Sequence, residues 1–376
     1  MKDTMILPEH KEETANTLEV SCGAQLPGTD LSLRFHLILD VDEIVDCRLR
    51  TGFSHRGIEK RAEELTYHQL TSLLSLVDAS SGISGELAFC LAVERLMGWK
   101  VPERAVWIRM IMAELSRMAS HLGWLSRFSA IMGSEAGYHY AERDRDRVLR
   151  LLELVTGSRI APNYVRVGGV REDLPAEFEP RLTEFLHLFK RRYEEYHLLL
   201  TENRFFRDRV ENLAVLSKED AYSYGVTGPN LRACGIRIDA RKNAPYSGYD
   251  QVVFKIPMGR KGDCFDRYSV RLKEIRESVE IVKQAMEALR QGEVLNSPPL
   301  GPIPPPGQAY VGIECPHGQL GLFLKSDGTE KPYRLRIRGP SMAHLMALGK
   351  VLLGQRISDL PTIVSSFDIS MSEAER

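Results

Sequence analysis

The sequence lacks an excess of charge of either sign. Its 376 residues include 50 Lys and Arg against 51 Asp and Glu, for a formal net charge of −1. Proteins that bind nucleic acid usually carry a basic excess or a basic stripe, so nucleic acid is not an expected partner. Hydrophobic residues make up 43% of the chain, which is enough for a sizeable core. Because a charge near zero is poor for the solubility of an isolated protein, partners are expected.

Closely paired cysteines are also missing. The chain has six cysteines, and no two of them form a C-x-x-C pair. Self-contained zinc and iron–sulfur sites need closely spaced ligands, and small secreted scaffolds are denser in cysteine. We therefore predict small buried side chains in a reducing compartment. The six residues are Cys22, Cys47, Cys90, Cys234, Cys264 and Cys315.

Long hydrophobic runs do not occur either. No stretch approaches the ~20 apolar residues that a membrane-spanning helix needs. The N-terminal segment MKDTMILPEHKEETANT is charged and has no apolar signal core, and we expect residues 1–20 to be flexible. These features predict a protein that is cytosolic or peripheral to a membrane.

The spacing of apolar residues predicts strands near the two ends of the chain and helices between them. Residues 32–39 and 43–50 alternate apolar and polar side chains, as the strands of a hairpin do. Residues 319–340 indicate two more strands around the turn SDGTEK. Helical patterns lie at 60–70, 84–98, 103–130, 142–157, 176–203, 261–292 and 341–353. The predicted fold class is therefore α+β.

A proline-rich segment, NSPPLGPIPPPGQ at 296–308, precedes the C-terminal hairpin. Its prolines favour an extended, semi-rigid linker. Because no comparable linker interrupts the helical region, we predict a single domain over 21–376.

The helical pattern at 103–130 is apolar almost all round, which is typical of a buried helix. Glu114, Arg117 and His121 nevertheless share one of its faces. Buried charges destabilise a fold by several kcal/mol unless they are paired. Spacing alone leaves two interpretations open: an internal ion-pair network, or a proton- or electron-linked site with a tunable histidine.

Two further segments are candidates for function. GFSHRGIEKRAEE at 52–64 places His55 and Arg56 in a turn before a helix, which is either a functional cationic turn or a helix start with solvated charges. The glycine-rich segment 225–250 is predicted to be a long loop, and loops of this length are usually functional or interfacial. It is locally basic, with Arg232, Arg237, Arg241 and Lys242.

Several long motifs follow one another along the chain. They read FSHRGIEKRAEELTYHQ, IRMIMAELSRMASHLGWL, VTGSRIAPNYVRVGGVREDLP, LRACGIRIDARKNAPYSGYD, GDCFDRYSVRLKEIRES and SFDISMSEAER. Together they resemble the D-subunit family of NADH-quinone oxidoreductase, respiratory complex I, and the resemblance runs from residue 23 to the C-terminus. This family is related to the large subunit of nickel–iron hydrogenases. The resemblance therefore implies a hydrogenase-large-subunit-like fold, with a central helical bundle and small antiparallel β-sheets from the N- and C-terminal regions.

The resemblance also implies a place in a larger enzyme. The chain would be a peripheral-arm subunit on the cytoplasmic side of the cell inner (plasma) membrane, with the B and C subunits as its chief partners. Electrons would pass from NADH to quinone, coupled to proton translocation. The complex uses FMN, iron–sulfur clusters, NAD and quinone, and this chain by itself would bind no redox cofactor.

Three residues are implied to lie near the terminal iron–sulfur cluster, which the B subunit holds in this family. His55 and Arg56 match the family's His-Arg-Gly loop, and His121 matches its Ser/Asn-His-Leu motif. A positive charge near a cluster raises its potential, and His121 would couple that potential to protonation. The same resemblance favours an interface for the face that carries Glu114 and Arg117.

Hydrogenase chemistry is not expected. The nickel–iron site of hydrogenases needs four cysteines from two C-x-x-C motifs, and the matching positions here read DASS (78–81) and SMSE (370–373). Without thiolates we predict that the chain binds no metal there.

The quinone-headgroup positions of the family are altered. The histidines of its early motif are replaced by Leu26 and Asp30, the tyrosine of its Asp-Tyr-x-Ser motif by Ala79, and the acidic partner by Ile131. Loss of two headgroup donors removes on the order of 2–6 kcal/mol of hydrogen bonding. Three interpretations remain open: a quinone reductase with a changed site, a paralogous scaffold subunit of a complex I-like assembly, or a subunit serving another acceptor.

Overall fold

The computed structural model describes residues 17–22, 33–296 and 301–376. Leu26, Asp30 and the linker residues 297–300 therefore lie outside the described residues, as does most of the N-terminal segment. The strands are β1 Thr17–Cys22, β2 Arg34–Asp40, β3 Glu43–Arg50, β4 Val165–Arg166, β5 Gly169–Val170, β6 Gly307–Glu314, β7 Gln319–Ser326 and β8 Arg334–Arg338.

The N-terminal sheet contains the predicted hairpin. Strands β2 and β3 pair antiparallel, and β2 buries Phe35, Leu37 and Leu39 on one face because alternate side chains of a strand point to the same side. Strand β1, which the apolar pattern did not predict, pairs with β2 from Thr17 onward, so the last residues of the range 1–20 belong to the sheet.

The C-terminal sheet has three strands in the order β6-β7-β8. Strands β7 and β8 flank the predicted turn, whereas β6 was missed because it begins at Gly307, inside the proline-rich segment. That segment is packed against the sheet where Pro304 accepts a hydrogen bond from Ser326 (O to Oγ, 2.8 Å).

The helices lie between and beside the sheets. They are α1 Ile58–Arg61, α2 Tyr67–Leu74, α3 Gly82–Met97, α4 Glu103–Ile131, α5 Glu135–Thr156, α6 Phe178–Tyr196, α7 Arg204–Val210, α8 Lys218–Ser223, α9 Gly228–Ala233, α10 Ala240–Asn243, α11 Cys264–Ala288, α12 Pro340–Leu352, α13 Leu360–Phe367 and α14 Met371–Ala374. One predicted helix, 60–70, is divided into α1 and α2 because Thr66 starts a new helix through a capping box with Gln69.

Helix α4 is the centre of the helical bundle. It packs against α3, α5, α11 and α13, and nearly all of its side chains are buried. Helix α11 begins where Asp263 caps it by accepting a hydrogen bond from the backbone of Asp266 at 2.8 Å. Among the helices that the structure describes, none is both long enough and apolar enough to cross a membrane.

The segment 225–250 is not the open loop that its glycines predicted. It contains α9 and α10, and two of its four basic residues, Arg232 and Arg241, are fully buried. Glycine and proline contents suggested a loop, but the buried ion pairs of these two arginines hold the segment against α4 and α11.

Candidate functional site

The charged face of α4 is paired inside the chain. Glu114 is fully buried, and its carboxylate accepts hydrogen bonds from Arg117, Arg241, Tyr249 and Ser278. Burial alone would raise the pKa of Glu114, but the two guanidinium groups and these hydrogen bonds lower it to about 2. Glu114 is therefore ionised, and its charge is neutralised by residues of the same chain.

A second set of ion pairs continues this network. Arg232 contacts the carboxylates of Glu274 (2.6 Å) and Glu314 (2.7 Å), while Asp239 pairs with Arg241 at 2.7 Å. All five side chains are buried. Removal of one of these charges would destabilise the fold, because it would leave its partner unpaired in a medium of low dielectric constant.

His121 lies at the end of this network with no exposed surface. Its Nε2 is 3.0 Å from Glu274 Oε2, and its Nδ1 has no hydrogen-bond partner among the residues that the structure describes. Burial lowers the pKa of His121, and Arg271 and Arg117 lower it further, against the opposing effect of Glu274. The imidazole is therefore neutral near pH 7, and its Nε2–H donates to Glu274.

The interpretation that Glu114, Arg117 and His121 face an interface is wrong in this structure. The three side chains are between 0% and 2% exposed in the isolated chain, so a partner subunit has no surface of theirs to contact. Spacing alone could not decide this, because the neutralising groups come from segments more than a hundred residues away in sequence, at Arg241 and Glu274.

His55 and Arg56, by contrast, are exposed. Arg56 donates to the backbone carbonyls of Leu76 and Ser372, each at 2.8 Å, and His55 Nδ1 donates to the carbonyl of Glu375 at 2.9 Å. Gly57 has a φ of +61°, in the left-handed region that favours glycine, and this residue turns the chain into α1. Desolvation by burial lowers the pKa of Arg56 from its ordinary value.

A cavity of about 470 Å³ opens beside this turn. His55, Lys60, Arg336 and Arg376 are among the residues that line it. Glu59 pairs with both of these arginines, which holds their guanidinium groups in place. The cavity is therefore lined by both cationic and carboxylate side chains.

The segments that match the two hydrogenase cysteine motifs meet directly under Arg56. We call the contact of residues 78–81 with 370–373 the junction. Ser370 Oγ donates to Asp78 Oδ1 at 3.2 Å, and Ser81, Ser370 and Glu373 are all buried. Within the described part of the chain, no group of three or more His, Cys, Asp or Glu side chains is placed to hold a metal ion.

His317 lies beside the junction, and sequence reasoning missed it. Its Nδ1 donates to the carbonyl of Asp368 at 2.8 Å, and its Nε2 is 3.0 Å from Ser80 Oγ and 3.3 Å from Asp78 Oδ2. Burial alone would lower the pKa of His317, but the carboxylates of Asp368 and Asp78 raise it well above its usual range. The one signal in the sequence is a lone histidine in the Pro-His-Gly turn that precedes Gln319.

Glu373 occupies the last position of the second motif. Ser341 Oγ donates to its Oε2 at 2.7 Å, and its Oε1 has no partner within the described ranges. Burial raises the pKa of Glu373 to about 8, so the carboxyl group is largely protonated at neutral pH. The junction thus has a largely neutral carboxyl group at one of the positions that match hydrogenase cysteines, and a charged histidine, His317, lies beside it.

The altered quinone positions are only partly described. Ala79 is exposed and, together with Ser80 and Ile160, lines a small pocket of about 20 Å³. This volume has room for about one water molecule. Ile131 is the last residue of α4, is half-buried, and lies outside the lining of this pocket.

Comparison with known proteins decides the family. Residues 132–303 and 298–376 match the model of a family described as "Respiratory-chain NADH dehydrogenase, 49 Kd subunit". The chain belongs to this family. The NADH-quinone oxidoreductase D subunit of Clostridium beijerinckii is 42% identical to it, over 98% of each chain, and the D subunit of Thermus thermophilus is 38% identical, over 98% of this chain and 96% of its own.

A solved structure also matches this family member closely. It is described as the membrane-bound sulfane sulfur reductase, an archaeal respiratory membrane complex, and one of its chains is 33% identical with a TM-score of 0.92, over 96% of this chain and 99% of its own. The predicted family and α+β fold are confirmed. The family member described here is a subunit of a respiratory oxidoreductase complex, and it therefore works with other subunits.

The predicted state of the cysteines agrees with the structure where it can be checked. Cys47, Cys90, Cys234, Cys264 and Cys315 are free thiols, and all of them except the half-buried Cys47 are buried. Burial raises the pKa of Cys47 to about 12, so its thiol stays protonated as well. The side chain of Cys22 lies outside the described part.

Proposed function

We propose that this chain forms, with a cluster-bearing B subunit, the site where a respiratory NADH-quinone oxidoreductase reduces quinone, coupled to proton translocation. Electrons would come from NADH through the FMN and iron–sulfur clusters of other subunits. The chain would lie peripherally on the cytoplasmic side of the cell inner membrane, next to the B and C subunits. Family membership and the 42% identity to a known D subunit support this proposal.

The observation that carries the proposal is the anchoring of Arg56 on the junction. Two of its donors are fixed by the carbonyls of Leu76 and Ser372, so the guanidinium group is held at the surface in one orientation. An exposed cation that is fixed in this way can face a cluster in a partner subunit without reorganising. Since a positive charge stabilises the reduced cluster, Arg56 would raise its midpoint potential.

Replacement of Arg56 by Met in the assembled complex tests this role. We expect the terminal cluster to become harder to reduce, with a lower midpoint potential in an EPR-monitored redox titration and slower quinone reduction. Arg191→Met is a matched control, because Arg191 is exposed on α6 and loss of its charge should change neither quantity. A potential that is the same in both variants would contradict the proposed position of Arg56.

A second candidate is a subunit that serves a small acceptor instead of a quinone. The pocket at Ala79 has room for about one water molecule, and the structural relative with a TM-score of 0.92 is part of a sulfane sulfur reductase. Parallel assays of the purified assembly with a short-chain quinone and with polysulfide distinguish the two. Activity with polysulfide alone would favour this candidate, and activity with neither would favour a scaffold subunit.

A further inference from the structure

We propose that the hydroxyl group of Ser80 delivers a proton to the electron acceptor and that His317, directly behind it, is the source of that proton. The inference rests on the proposed function, since it assumes that a carbonyl acceptor is reduced next to Ala79. It assigns a chemical task to two side chains that the family resemblance did not single out.

The contacts of Ser80 connect the surface to the interior. The residue is exposed, yet its Oγ is 3.0 Å from His317 Nε2, 2.9 Å from Asp78 Oδ1 and 3.1 Å from Ser120 Oγ. A hydroxyl group can donate one hydrogen bond while it accepts others. Ser80 can therefore accept from His317 and rotate its own proton from Asp78 to a bound acceptor.

The environment of His317 keeps a proton available. Asp368 and Asp78 lie on its two ring nitrogens, at 3.3 Å in both cases, and the side chain is buried. Because these carboxylates raise its pKa, the ring is an imidazolium at neutral pH, with one N–H directed at Asp368 and the other at Ser80. Loss of the proton would leave two carboxylates without their cation, so the ring regains a proton readily.

Other charged and titratable groups surround this histidine. Glu373 on α14 is mostly neutral, and the remaining groups act on Asp368 or lie near the ring. They are Arg127 on α4, Arg271 on α11 and His344 on α12. Burial alone would raise the pKa of Asp368, but the His317 ring and the two arginines lower it, so this carboxylate stays ionised beside the imidazolium.

The electrons and the protons of the proposed step come from different groups. Two electrons would reach the carbonyl acceptor, one at a time, from an iron–sulfur cluster of the B subunit. As negative charge develops on the acceptor oxygen, the Ser80 O–H bond breaks towards it, and the His317 Nε2–H bond breaks towards Ser80 Oγ. One proton thus comes from His317 and the second from solvent, so that the carbonyl compound becomes the hydroxyl compound. The neutral His317 then takes up a proton from solvent.

This arrangement fits the altered headgroup position. Ala79 has no hydrogen-bond donor, whereas the next residue presents an exposed hydroxyl group that is linked to a cation. A donor of this kind favours the reduced acceptor more than the oxidised one, because it meets charge that develops during the reaction. The loss of the tyrosine therefore need not abolish proton delivery.

Ser80→Ala in the assembled complex is the test. We expect kcat for short-chain quinone reduction to fall about 100-fold, with little change in KM, since general acids typically contribute factors of this size. Ser80→Thr, which keeps the hydroxyl group, should restore most of the rate and the solvent deuterium isotope effect. Ser72→Ala is the control, because Ser72 is an exposed serine on α2.

A variant of His317 and a measurement of cluster reduction distinguish failure of this inference from failure of the proposed function. His317→Gln can still donate a hydrogen bond to Ser80 but has no ionisable proton to transfer, so its pH profile should lose the ionisation seen in the wild type. Reduction of the terminal cluster by NADH, followed by EPR, should be normal in every variant. If Ser80→Ala keeps the wild-type kcat, pH profile and isotope effect, the inference is wrong while the proposed function is unaffected. A wild-type complex that reduces its terminal cluster but no quinone would contradict the proposed function as well.

Discussion

Ser370 donates a hydrogen bond to Asp78 across a sequence separation of 292 residues, with Oγ and Oδ1 3.2 Å apart. The contact joins the two segments that correspond to the cysteine motifs of hydrogenases. In place of four thiolates, the junction contains serines, two acidic side chains and the neighbouring His317. The hydrogenase-like fold is thus retained, while serines and carboxyl groups occupy the positions that match its cysteines.

The network around Glu114 provides a stability prediction. Glu114→Gln removes the negative charge that neutralises Arg117 and Arg241, and both guanidinium groups remain fully buried. We expect the free energy of unfolding to fall by about 3–5 kcal/mol in urea denaturation of the purified chain. The control is Asp146→Asn, which breaks the exposed pairs of Asp146 and should change stability by less than about 1 kcal/mol. Equal losses in the two variants would contradict the assignment.

The low pKa of Glu114 also predicts a direction of acid sensitivity. Because its folded pKa is about 2, below the ordinary value of 4.5, its contribution is present above pH 4.5 and is lost as the pH falls towards 2. In Glu114→Gln this part of the acid sensitivity should disappear, so the stability difference between the variant and the wild type should shrink in that window.

Glu373 predicts the opposite pH dependence. The pKa of Glu373 rises to about 8 in the folded chain, so folding takes up a proton between pH 4.5 and 8. The contribution of Glu373 to the free energy of unfolding therefore becomes more unfavourable as the pH rises through that window. Glu373→Gln should match the wild type near pH 4.5 and become more stable above it, by on the order of 4 kcal/mol above pH 8. Denaturation at several pH values measures the difference. A constant difference would show that Glu373 does not titrate in this range.

Helices and strands that depend on short-range patterns were predicted correctly from the sequence. Features that depend on contacts between residues distant in sequence were not. Alternating residues predicted β2 and β3, and the spacing of apolar residues over 261–292 predicted α11, because both signals act within a few residues. The motif resemblance predicted the family and the α+β fold. Strand β1 was missed, and so was strand β6, which begins at Gly307 inside the proline-rich segment.

Residues of the candidate site were likewise predicted where they are adjacent in sequence and missed where the fold brings distant residues together. His55 and Arg56 could be singled out because they are adjacent in an unusual turn. The burial of Arg232 and Arg241 could not, because a glycine-rich segment with four basic residues is typical of an exposed loop. His317 was missed for a related reason: its role depends on Asp78 and Asp368, which lie far from it in sequence.

His121 provides a redox prediction. The family resemblance implies that His121 lies near the terminal cluster of a partner subunit, and its Nδ1 has no hydrogen-bond partner among the described residues. If the cluster lies there, its reduction would favour protonation of this nitrogen, since added negative charge raises the pKa of a neutral imidazole. We expect His121→Met to flatten the dependence of the terminal cluster's midpoint potential on pH. The control is His187→Met, because His187 is exposed on α6. An unchanged slope in EPR-monitored titrations of His121→Met would show that the histidine only supports Glu274 structurally.

Ala79 provides the last prediction, which concerns the identity of the acceptor. Ala79→Tyr supplies the hydroxyl group that the family has at this position, whereas Ala79→Phe supplies the same bulk without a donor. If quinone binds here, the tyrosine variant should bind it about tenfold more tightly than the phenylalanine variant, since one added hydrogen bond contributes about 1 kcal/mol or slightly more. The KM for a short-chain quinone, measured in both variants and in the wild type, checks this. Equal KM values in all three would mean that the quinone headgroup does not reach Ala79. The small pocket beside Ser80 would then be left for a different electron acceptor.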